Sequence, residues 1–65
     1  MYNYRVFYNG YGANNTIYRA QEIELSIRHD WSRNDEEAAK VMFLVHKKLK
    51  ENFSRIDILA VEKIK

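Results

Sequence analysis

The stretch Arg55-Ile56-Asp57-Ile58-Leu59-Ala60-Val61-Glu62-Lys63-Ile64 decides how this chain can fold. It reads as a strand, and strand side chains alternate between faces. Ile56, Ile58, Ala60 and Ile64 therefore point one way, and Leu59 and Val61 the other. Both faces are apolar. A chain of 65 residues has room for one helix, and one helix covers one face of a sheet. The opposite face then calls for a second cover, either another copy of the chain or a partner.

The helix precedes this stretch. Asn34 is the expected N-cap, with Glu37 at the third helical position and Ser32 as the alternative cap. Asp35, Glu36 and Glu37 suit the positive end of the helix dipole, and Lys47, Lys48 and Lys50 the negative end. These signals predict a helix over Asp35 to Asn52. Ala38, Val41, Met42, Val45 and Leu49 form its buried stripe, closed by Phe53. Opposite them lie Glu36, Lys40, Phe43, Lys47 and Lys50.

Two strands come first. Tyr2 to Tyr8 places Tyr2, Tyr4, Val6 and Tyr8 on one face and Asn3, Arg5 and Phe7 on the other. Asn9 to Asn15 holds both glycines and three asparagines, a hairpin connection. Thr16 to Arg28 follows. Ile23, Leu25 and Ile27 face inward, and Ile17 extends that set across Arg19 and Gln21. Tyr18, Ala20, Glu22, Glu24, Ser26 and Arg28 face outward.

The expected fold is therefore a single α+β domain over residues 1–65. Its order is β-β-α-β, with a three-stranded, mainly antiparallel sheet and one helix packed on one face. The last strand either runs parallel to the second through a right-handed connection or pairs antiparallel with the first.

Composition narrows the function classes. Eleven Lys plus Arg against nine Asp plus Glu leave a net charge of +2, which neither demands nor excludes nucleic acid. Cysteine is absent, so disulfides and thiolate metal sites are excluded. No run approaches the roughly 20 apolar residues of a membrane span. The opening residues resemble no secretory leader, so a cytoplasmic protein with no membrane partner is expected.

A catalytic reading would start from His29-Asp30 with Ser26 or Ser32. It lacks the oxyanion donors and the concave pocket that nucleophilic chemistry needs. Two distant histidines, His29 and His46, do not make a zinc site. No enzyme activity, cofactor or metal is expected.

What remains is surface. The back of the sheet should show Arg5, Phe7, Tyr18, Ala20, Leu59 and Val61, a contiguous patch suited to self-association or a protein partner. A homodimer is the expected state. Lys40, Phe43, Lys47 and Lys50 form a second expected partner surface, an aromatic ringed by cations. The alternative is nucleic-acid binding on the sheet through Arg5, Phe7, Tyr18 and Arg28, since stacking platforms interleave aromatic and basic residues.

The short chain, the Tyr- and Asn-rich N-terminus and the lack of Pro and Cys resemble the small proteins carried by phages and mobile elements. That resemblance of composition implies a protein that binds and blocks a host protein.

Overall fold

The computed structural model describes residues 1–64. Strand β1 (Tyr2–Tyr11) is followed by a 3-10 turn (Ala13–Asn15), strand β2 (Ile17–Ile27), helix α1 (Asp35–Leu49) and strand β3 (Arg55–Ile64). The sheet order is β2-β1-β3, with both pairings antiparallel. The last strand therefore returns beside the first, and the parallel alternative is not used. The fold is α+β, as the order of elements requires.

Strand β1 is central, and its burial alternates strictly. Tyr4, Val6, Tyr8 and Gly10 are buried under the helix, while Arg5, Phe7 and Asn9 on the reverse are half-buried. Val41, Val45 and Leu49 of the helix meet Tyr4, Val6, Tyr8, Ile27 and Ile56 in one core. Around it pack Ile23, Leu25, Trp31, Leu44, Phe53, Ile58 and Val61.

The helix starts where the sequence places it. The Asn34 side chain accepts from the Glu37 N–H at 2.8 Å. Glu37 does not complete a reciprocal box, because its carboxylate turns to His29 Nδ1 at 2.7 Å. The helix ends at Leu49, short of the expected Asn52. Residues 51 and 52 close the turn through bonds from Glu51 N–H to the Lys48 carbonyl and from Asn52 N–H to the Leu49 carbonyl.

Two register shifts correct the expected facing of the strands. On β3, Phe7 opposes Ala60 and Tyr8 opposes Ile58, so Leu59 is an extra residue. The bulge resets the alternation. Ile56, Ile58 and Val61 all face the helix, whereas Ala60 and Ile64 lie opposite Phe7 and Asn3 on the reverse. A regular strand would have turned Val61 out and Ala60 in. On β2, Tyr8 opposes Gln21 and Gly10 opposes Tyr18, so Asn9 faces two residues, Arg19 and Ala20. Ala20 adopts φ 54°, a costly left-handed conformation for a residue with a Cβ. Its N–H is held by Asn9 Oδ1 at 2.9 Å. Below this bulge Tyr18, and not Ile17, lies on the helix side.

The link between β2 and α1 is tied to the sheet from both directions. The buried Tyr4 hydroxyl donates to the His29 carbonyl at 2.6 Å and accepts from the Trp31 N–H at 3.0 Å. Lys63 of β3 reaches Asp30 at 2.9 Å. A hydrogen bond from Ser32 and the Lys63 ammonium hold the Asp30 carboxyl down to about 2, against an ordinary 3.8. The same pair raises Lys63 above its ordinary 10.5.

A depressed carboxylate stabilises the fold above its unfolded value of 3.8, and that contribution is lost as pH falls through about 2. Thermal midpoints followed from neutral pH down to about 2 should fall less steeply in Asp30→Asn than in the wild type. Equal acid slopes would contradict this.

Candidate interaction surface

The bulges redistribute the residues expected on the back of the sheet. Arg5 and Phe7 lie there. Val61 instead packs against the core under the helix, and Tyr18 is on the helix side, its ring edge-on to Phe53 at 5.6 Å. Both placements correct the straight-strand expectation, and one physical reason covers them: an inserted residue flips every side chain beyond it. Ala20 sits in the β2 bulge. Leu59, the extra residue of β3, is 57% exposed.

The back face that results is largely polar. Arg5 lies 2.9 Å from Glu22 as an ion pair, although its Nε makes no hydrogen bond, and its Nη2 bonds Glu24 at 3.2 Å. The Tyr11 hydroxyl donates to Asp57 at 2.8 Å, and the Arg55 guanidinium stacks 4.1 Å above the Tyr11 ring. Ser26 Oγ donates to Asn3 at 2.7 Å. Phe7 and Ala60 form a small apolar island between these groups.

The helix ridge is arranged as expected. Lys40, Phe43, Lys47 and Lys50 are all exposed, Phe43 at 68%. Lys40 is 3.5 Å from Glu36. Among the described residues Lys47 and Lys50 make no ion pair.

A further feature, not visible as a pattern in the sequence, lies beside this ridge. Strand β2 pairs only with β1, so its outer edge carries backbone donors and acceptors with no strand partner among the described residues. Between that edge and α1 runs a cleft of about 590 Å³. Leu25, Ile27 and Leu44 supply its apolar walls, and Arg28 and Lys47 stand at its rim without an ion pair among the described residues. Lys48, also at the rim, is engaged by Glu51 at 3.4 Å. A second hollow of about 600 Å³ around Phe43, His46 and Lys50 shares Lys47 and Glu51 with the first. Cleft and ridge therefore form one continuous surface. Leu25 and Ile27 on β2, Arg28 just after it, and Leu44 and Lys47 on α1 are each legible in the sequence, but none predicts that the others are near.

The groups considered for catalysis have other bonds. His29 Nδ1 pairs with Glu37, not Asp30. Ser32 Oγ donates to Asp30 at 2.7 Å, and Ser26 Oγ to Asn3. Among the described residues no three His, Asp or Glu side chains are grouped to hold a metal ion. No described helix is long and apolar enough to cross a membrane.

Comparisons with family models, with curated proteins and with solved structures return no match.

Proposed function

We propose that this chain is a non-enzymatic protein-interaction module that receives an extended segment of a partner protein along the outer edge of β2. One observation carries the reading: a free strand edge borders a cleft with apolar walls, beside which Arg28 and Lys47 make no ion pair among the described residues while Glu24 and Glu51 are held by Arg5 and Lys48. A strand added to an exposed edge gains affinity from main-chain hydrogen bonds, while pockets for alternate side chains supply selectivity. Apolar side chains of the segment would enter between Leu25, Ile27 and Leu44. Acidic ones would meet Arg28 and Lys47, and Phe43 would offer an aromatic anchor at the end of the track. Binding and blocking a host protein, as the compositional resemblance to phage-borne proteins implies, would suit such a surface.

The nucleic-acid alternative loses its basis in geometry. Arg5 is engaged by two carboxylates on the back of the sheet, and Tyr18 is on the other face. The two do not form one platform.

Selection from a displayed library of random peptides tests the proposal. Enriched peptides should alternate apolar residues and carry Asp or Glu. Leu44→Lys should weaken their binding at least about tenfold, the effect of breaking an interface hot spot. A library that yields no binder, or binders indifferent to Leu44→Lys, would overturn it.

A further inference from the structure

We infer that the opposite edge of the sheet pairs with a second copy of the same chain, β3 against β3, in a register chosen by the Leu59 bulge. This goes beyond the peptide reading and concerns a different edge. Strand β3 is ten residues long and, among the described residues, pairs only with β1. Closed homodimers use one patch against itself, so β3 would pair antiparallel with its own copy about a twofold axis.

Residues directly opposed across an antiparallel pair share a face. Towards the chain start, β3 turns Arg55 and Asp57 to the back and Ile56 and Ile58 to the helix side. Beyond Leu59 it turns Ala60 and Glu62 to the back and Val61 to the helix side. A bulge-free strand would pair only in registers that set residues of like parity opposite one another. The extra residue reverses that rule across the axis. Two central registers then match faces throughout.

Charge separates the two. With the axis between Ile58 and Leu59, Arg55 faces Glu62, Ile56 faces Val61 and Asp57 faces Ala60, each pair occurring twice. With the axis between Leu59 and Ala60, Asp57 faces Glu62, Ile56 faces Lys63 and Arg55 faces Ile64. The first places opposite charges and apolar pairs together. The second sets a like-charge pair face to face twice, and like charges directly opposed destabilise a sheet. Arg55 and Glu62 make no ion pair within the chain among the described residues; Arg55 stacks on the Tyr11 ring, a contact that leaves its charge without a carboxylate partner. Bulges on edges often prevent pairing by twisting the edge away. Here two bulges meet at the axis, and each leaves regular flanks that still match.

The product is a six-stranded sheet with both helices on one side. Leu59, 57% exposed in the single chain, would meet Ile58 of the second copy at the axis.

Sedimentation of the full chain at loadings up to about 100 μM, an ordinary range for modest interfaces, provides the test. The wild type should sediment at twice 7.8 kDa at the upper end. Arg55→Glu should weaken the dimer about tenfold or more by placing two carboxylates opposite each other. Arg55→Glu with Glu62→Arg should restore it to within about threefold, because the pair is only exchanged. Circular dichroism confirms that each variant is folded, and Arg55 is exposed, so its replacement is tolerated by the single chain. A monomeric wild type would overturn the inference. So would a dimer indifferent to Arg55→Glu, or one tightened by Glu62→Arg alone, the signature of the competing register. None of these results alters the expected peptide selection at the β2 edge.

Discussion

Tyr4→Phe should destabilise the domain by about 1–3 kcal/mol, although it removes one atom, because it leaves two part-buried backbone partners unpaired. The Tyr4 hydroxyl bonds the His29 carbonyl at 2.6 Å and the Trp31 N–H at 3.0 Å, and the Tyr4 side chain is fully buried. Both partners belong to the link that carries the chain from β2 to α1. Without the hydroxyl, neither group has another hydrogen-bond partner among the described residues. Trp31, edge-on to the Tyr4 ring at 5.8 Å, reports the change. Urea unfolding followed by Trp fluorescence should show a lower midpoint with an unchanged slope. A shift within about 0.5 kcal/mol, the level of an ordinary surface substitution, would show that the link is held by other contacts.

Gly10→Ala should cost a similar amount, about 1–3 kcal/mol, through overpacking. A Cβ on Gly10 would lie 2.5 Å from Phe53 Cε1, closer than carbon atoms approach. The Phe53 ring cannot simply swing aside. It is edge-on to Tyr8 at 5.7 Å and to Tyr18 at 5.6 Å, so moving it opens both contacts. Glycine is therefore required at this position of β1 by close approach rather than by turn geometry. Phe53→Leu should recover part of the loss in the Gly10→Ala background while destabilising the wild type. The coupling energy of that cycle is expected at about 0.5 kcal/mol or more, as for residues in direct contact. Additive losses would place the clash elsewhere.

The order of elements and most of the core were legible in the sequence for a physical reason. Asn34 and the acidic first turn mark a helix start whatever the tertiary structure, and Val41, Val45 and Leu49 repeat at helical spacing. Strand facing was legible only as far as the first bulge. Nothing local announces that Leu59 is extra. The hint is the spacing Ile56, Ile58, Val61, which fits one face only if a residue is inserted between the last two. The same applies to Tyr18, whose facing depends on its pairing with Gly10.

These slips had functional consequences. The apolar back face is reduced to Phe7 and Ala60 at its centre and Ile17 and Ile64 towards its ends, among ion pairs, and β3 has one apolar side and one mixed side. The exposed ridge of Phe43, Lys47 and Lys50 needed only the helix period and was placed correctly. The cleft between β2 and α1 was not readable, because it depends on how far the helix stands from an edge strand, a distance that no local pattern encodes.

Amide NMR of the full chain, titrated with a library-selected peptide, shows whether the β2 edge and the α1 cleft together receive an extended segment. Shifts should concentrate on Leu25 to His29 and on Leu44 to Glu51, with slowed exchange of the outward N–H groups of β2. Shifts confined to Arg5, Phe7 and Ala60 on the back of the sheet, with β2 amides unprotected, would contradict it.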